Sequence, residues 1–199
     1  MKLQGMVLGL LLAIGYLYAE DVQSHIAKPV LTAELYGSTG NQEAELDVLI
    51  SKIETIGYST VAANKNIQVH YYNKYKEKGV EMISFFGMVN KAKLRPLLLK
   101  NPDFGAYAPF NFLAYKTLDT ENDDVTWYGH LDAEAMLNII GEKDEALRKD
   151  FHAMVDSFDV LVKKTMKPGM SKRFEHTQAL PTISKMKMVK KFETPDDMD

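Results

Sequence analysis

Residues 80–131, VEMISFFGMVNKAKLRPLLLKNPDFGAYAPFNFLAYKTLDTENDDVTWYGHL, decide the fold. An apolar run from Val80 to Phe86 meets Gly87, and a basic, leucine-rich segment follows Asn90. A loop from Asn101 then leads into two strand-like runs, Phe110 to Leu118 and Val125 to Leu131, on either side of the polar stretch Asp119 to Asp124. This order predicts a strand, a helix, a loop and a hairpin. Val80 to Phe86 is apolar at both odd and even positions, so the strand is expected to be covered on both faces, by a second layer or by a partner. Pro96 lacks an N–H and clashes with the preceding turn, at about 3 kcal/mol in a helix interior. The helix is therefore expected to begin late, near Arg95, or to kink there.

Working outward, Val30 to Leu35 alternates and runs into Gly37, which suits a first strand, and Ser38 to Asn41 supply turn residues. Leu46, Leu49, Ile50, Ile53 and Ile56 recur at intervals that put them on one face of a helix over Gln42 to Ile56, stopped by Gly57. Tyr58 to Ala63 reads as a second strand, and Asn64 to Lys78 as a short helix or irregular turn with packed tyrosines. Near the other end, Leu147, Phe151, Met154, Val155, Phe158, Leu161 and Val162 form one stripe of a helix that Pro168-Gly169 terminates. Acids at Glu142, Asp144 and Glu145 and lysines at Lys163, Lys164 and Lys167 complement its dipole, and at about 1.5 Å per residue it would be about 35 Å long. The elements add up to an α+β fold, an antiparallel sheet with helices packed on one face and a long C-terminal helix.

The central stretch resembles the bacterial domain-of-unknown-function 302 family. The resemblance is carried by Phe86, Gly87 and Asn90 at the end of the first strand, Asn101-Pro102 with Gly105 in the loop, and Pro109-Phe110-Asn111-Phe112 at the start of the next strand. It spans residues 29–141 and implies a fold similar to the TATA-binding-protein-like class. Many relatives carry cysteine where this chain has Val89 and Phe110, and Lys91 stands where they have proline, so any thiol chemistry of those relatives is absent here. The family itself implies no activity.

Cysteine is missing from all 199 residues, which excludes disulfides, thiol nucleophiles, lipoprotein anchoring and cysteine zinc sites. Met1-Lys2, the apolar run Met6 to Tyr18 and the small-residue site at Ala19 read as a cleaved export signal over 1–19. The run is shorter than the about 20 residues a membrane span needs. A periplasmic protein is expected, with a linker over 20–28, one domain over 29–167 and a tail over 168–199. Residues 163–191 hold nine Lys or Arg against one acid, whereas residues 20–162 hold fourteen against twenty-two acids. A basic tail of this kind suits docking on the acidic body, or contact with an anionic membrane surface. Nucleic acid is not an expected partner, because the body repels phosphate.

No catalytic motif is present: there is no G-x-S-x-G, phosphate-binding glycine loop, dinucleotide fingerprint or zinc-peptidase pair. No cofactor or resident metal is called for, and the acidic turn lacks EF-hand spacing. Met166, Met170, Met186 and Met188 with His176 offer soft ligands for Cu(I), although Lys185, Lys187 and Lys190 repel a cation there. Aromatic residues crowd the central stretch. Two readings follow. One is a non-enzymatic module that binds an apolar or aromatic small molecule, or a second copy of itself, around Phe104, Tyr107, Phe110 and Asn111. The other is an enzyme with its site near Asn90, Asn111 and His130, with His130 beside Asp132 and Glu134. His152 is expected to be solvated.

Overall fold

Alternation along the strands decides which side of the sheet is filled. On β3 (Met82–Val89) the side chains of Met82, Ser84, Phe86 and Met88 are buried, while Phe85 between them is 42% exposed. β4 (Phe110–Lys116) repeats the pattern, burying Phe110, Phe112, Ala114 and Lys116. On β5 (Val125–Leu131) Thr126 and Tyr128 take that same side, and on β1 (Val30–Thr39) Tyr36 and Ser38 do so. The computed structural model describes residues 30–118 and 124–176. The export signal, the linker, the copper candidates Met186 and Met188, and all of the acidic turn except Asp124 lie outside the described residues.

Six strands form one antiparallel sheet in the order β2-β3-β4-β5-β1-β6, with β2 at Ser59–Asn64 and β6 at Met170–His176. The helices are α1 (Glu43–Lys52, extended by a 3₁₀ turn over Ile53–Ile56), α2 (Ile67–Tyr75), α3 (Lys91–Lys100), α4 (Ala133–Ile140) and α5 (Glu145–Met166). Helices α1, α3 and α4 pack against α5, the helix layer's central member. Its expected stripe is buried throughout, from Leu147 to Val162. Phe158 is the hub, with ring centroids 5.2 Å from Phe112, 5.6 Å from Phe110 and 5.7 Å from Tyr58. Each such buried side chain contributes about 1.5–3 kcal/mol of hydrophobic stabilisation. No helix among the described residues is long and apolar enough to cross a membrane.

Several expectations are corrected. Helix α3 starts at Lys91 and carries Pro96 inside it, not at its start. Asn90 caps it by accepting from Lys93 N–H, and burial of Leu94 and Leu97 outweighs the lost Ala92 carbonyl bond. The first strand continues past Gly37, because a Cβ there would lie within 3.0 Å of Met170 and Trp127 side chains, a close approach only glycine allows. Residues 170–176, read as tail, are instead β6, a charged edge strand beside β1. Tyr71 and Tyr75 of α2 stack on each other, 4.8 Å between centroids, and remain exposed where packing on the core was expected. Lastly, among the described residues β3 has helices on one face only.

Candidate functional site

The face of the sheet away from the helices carries Ile83, Phe85, Leu113, Tyr115, Val125, Trp127, Leu131, Ala33, Leu35, Met170 and Phe174, all apolar or aromatic, from five strands, with Leu35, Val125 and Trp127 buried and Phe85, Leu131, Met170 and Phe174 exposed. Leu35, Val125 and Trp127, with Tyr115 against them, form a second small hydrophobic cluster, separate from the main core. Across the middle runs an apolar groove of about 310 Å³, lined chiefly by Leu35, Phe85, Leu113, Leu131 and Phe174.

The register explains the groove. Leu113 pairs with Gly129 and Gly129 with Leu35, so one row across the sheet has leucines on both sides of a missing side chain. Ala33, paired with Leu131 and with Phe174, is the small member of the adjacent row. Gly129 and Ala33 make the floor and the larger residues the walls. A Cβ on Gly129 would lie 2.7 Å from the Glu34 carbonyl oxygen and 2.7 Å from Leu35 Cδ2, so the close approach of β1 to β5 requires glycine. Asn111 is the polar residue whose side chain lies on the groove's face; His130 borders the groove from between Gly129 and Leu131, with its ring turned to the helix side. Asn111 is exposed, and its carboxamide makes no hydrogen bond among the described residues. His130 has its ring 4.7 Å from Phe110, with Nδ1 2.6 Å from Leu131 O and Nε2 2.8 Å from Asp159 Oδ1. Both ring nitrogens are therefore turned to protein atoms, and Asn111 is the polar group free to meet a ligand.

The other candidates lie elsewhere. Asn90 is buried beneath the helix layer, donating from Nδ2 to Ile56 O (3.1 Å) as well as capping α3. Phe104 is fully buried against Phe151, and Phe110 sits between Tyr58 and Phe158. Tyr107 donates its hydroxyl to Met136 O at 2.8 Å, and burial pushes its pKa up to about 12. These aromatics fill the space between sheet and helices in which a ligand groove was expected. Asn111 lines the groove and His130 borders it; Asn90 does neither. The partner of His130 is Asp159, not Asp132 or Glu134. Asp132 caps α4 through Glu134 and Ala135 N–H. Missed by the sequence reading are the groove's own walls, Leu35, Phe85, Leu113, Leu131 and Phe174.

A larger cleft, about 720 Å³, opens between α4 and α5 and is lined by Glu134, Glu142, Arg148, Lys149 and His152 among others. Several of its charged groups already have partners. Arg148 bonds to Glu134 and to Glu142 O, and His152 Nε2, expected to be solvated, lies 3.0 Å from Glu134 Oε2. Burial would raise the Glu142 carboxyl, but Asn101 and the N–H groups of Asp144 and Lys143 outweigh it and hold the group below its ordinary range. The cleft is wide and polar, and the smaller apolar groove is the better-formed site. Lys116, 2% exposed, is neutralised by Glu81 and Asp124, which pins the hairpin end. Among the described residues no three metal-ligating side chains cluster.

No protein-family model and no curated protein matches the sequence. Among solved structures, the fold is similar to that of the uncharacterized conserved protein DUF302 from Bacillus stearothermophilus. The TM-score is 0.53 at 12% identity, over 66% of this chain and 97% of that one. The fold is thus that of a domain-of-unknown-function 302 protein, in line with the resemblance carried by Phe86, Gly87, Asn90 and the Pro109 to Phe112 turn.

Proposed function

We propose that this chain is a non-enzymatic binding module that holds an apolar or aromatic small molecule in the groove on the sheet face away from its helices. The observation that carries this reading is the groove itself: apolar walls from five strands, a floor of Gly129 and Ala33, and one unoccupied carboxamide, Asn111, at its edge. Ligand sites are mostly apolar concavities with a few polar groups that fix orientation. At about 310 Å³ the groove stands at the small end of that range. The favoured ligand has an apolar body and one end that exchanges hydrogen bonds with an amide. The N-terminal sequence supports a periplasmic setting for this binding.

Titration with 1-anilinonaphthalene-8-sulfonate, an aromatic apolar probe, tests the reading, alongside native mass spectrometry for a co-purified small molecule. Leu113→Asp puts a charge on the groove wall and is expected to weaken probe binding at least tenfold while the circular dichroism spectrum stays unchanged. Probe affinity untouched by Leu113→Asp in a folded protein would overturn the assignment of the groove.

A further inference from the structure

Helix α3 combines two features that the fold itself does not use. Residues 91–100 hold four bases, Lys91, Lys93, Arg95 and Lys100, and no acid, in a chain whose net charge is −3 at pH 7. None of the four makes an ion pair among the described residues, although acids outnumber bases in the chain. Lys93 is turned to α5, where its ammonium donates to Ala153 O and Ser157 Oγ. The second feature is Leu99, 74% exposed, more than any other large apolar side chain among the described residues.

The positions are ordered around the helix. At about 100° per residue, Leu99 stands opposite Leu94 and Leu97, which are buried against the core. Ala92 and Pro96 lie beside it on the exposed face. Lys91 and Arg95 border this apolar strip on one side, and Lys93 and Lys100 on the other. An apolar strip between rows of cations is the pattern of a helix that rests on a lipid surface.

We infer that α3 docks the protein on an anionic lipid surface, with Leu99 entering the boundary between headgroups and acyl chains and Lys91, Arg95 and Lys100 meeting lipid phosphates. Long basic side chains reach from an apolar strip to charged headgroups. Each base near such a surface raises affinity about fivefold, so three account for about 100-fold, and contact through one leucine keeps the binding reversible. A protein partner is the poorer occupant. Protein interfaces are held by anchors that fill pockets, and neither the groove nor the polar cleft is lined by any residue of α3. Lysine is a point charge on a flexible stem, suited to charge that is spread and mobile, as in a lipid surface. Because α3 belongs to the helix layer and the groove to the other face of the sheet, docking leaves the groove clear of the lipid.

The test is cosedimentation of the purified full chain with vesicles of equal parts phosphatidylglycerol and phosphatidylcholine, against vesicles of phosphatidylcholine alone. Binding to the anionic vesicles only, weakened by salt, is expected. Lys91→Gln, Arg95→Gln and Lys100→Gln together should lower affinity about 100-fold, and Leu99→Ser about tenfold. All four side chains are exposed, so the circular dichroism spectrum should not change. Arg95→Gln alone, at about fivefold, serves if the triple variant fails to fold. No binding overturns the inference. Binding that the triple variant leaves intact overturns it too, since the contact is then elsewhere, as in the basic stretch 163–191. Binding that is lost in the triple variant, untouched by Leu99→Ser and matched by polyglutamate also overturns it, and makes an acidic protein the occupant.

Discussion

Phe110→Ala separates a core aromatic from a ligand-binding one. Its ring is 3% exposed and lies 4.7 Å from His130, 5.6 Å from Phe158 and 6.3 Å from Tyr58 by centroid. Truncating a fully packed phenylalanine costs about 3–5 kcal/mol, part transfer and part cavity, against a total stability of roughly 5–15 kcal/mol. The only tryptophan, Trp127, is buried in the sheet and reports unfolding by fluorescence. With a urea slope of about 2 kcal/mol/M, the midpoint should fall by roughly 1.5–2.5 M with the slope unchanged. Probe binding at the sheet-face groove should persist under native conditions. A midpoint shift below about 0.5 M together with loss of probe binding would refute the reasoning, for it would mean that the space around Phe110 is a ligand cavity and not a filled interior.

Three further outcomes follow from the same geometry. Asn90→Ala removes the α3 cap and leaves Ile56 O without its donor, so it should cost about 1–2 kcal/mol in the same urea assay and leave probe affinity unchanged. Gly129→Ala forces a Cβ against the Glu34 carbonyl and Leu35, and should destabilise the fold by about 1–3 kcal/mol, read as a lower thermal midpoint. The Glu142 carboxyl is held below its ordinary range in the folded protein. Its contribution is therefore complete above the ordinary glutamate value of about 4.3 and lost as pH falls through the depressed one. Glu142→Gln should accordingly lose less stability than the unchanged chain between about pH 5 and pH 3, measured by urea midpoints at each pH.

Helices that bury one face were legible in the sequence. Leu46 and Leu49 in α1, and Leu147 to Val162 in α5, sit at a spacing that admits only one buried side, and both helices occur where expected. The hairpin strands were legible for the same reason, through period two. Helix α4 was missed although Ala133, Met136, Leu137 and Ile140 recur at i, i+3, i+4 and i+7 and Asp132 and Gly141 mark its ends; at eight residues it is little more than two turns, too short for the stripe to stand apart from the apolar strand before it. Strand β6 was hidden by Lys172, Arg173 and Glu175, residues that an exposed edge strand tolerates and that read as tail. The groove was out of reach because it depends on register. Leu113, Gly129 and Leu35 are far apart in the chain, and only strand pairing sets the glycine between two leucines. Apolar residues on the second face of β3 looked like a covered strand, and sequence alone does not say whether the cover is part of the same chain. Phe104, Tyr107 and Phe110 were drawn into the candidate site by their loop position, yet Phe151 and Phe158 hold them in the core.

The central claim is that the sheet face away from the helices, not the helix-packed interior or the polar cleft beside α4 and α5, is the ligand-binding surface. Methyl-resolved NMR during titration with 1-anilinonaphthalene-8-sulfonate tests it most directly, because leucines mark each region. The methyls of Leu35, Leu113 and Leu131 are expected to shift together and saturably while those of Leu46, Leu49 and Leu97 stay in place. Shifts confined to Leu137 and Leu147, beside the polar cleft, or spread through the interior leucines would contradict it.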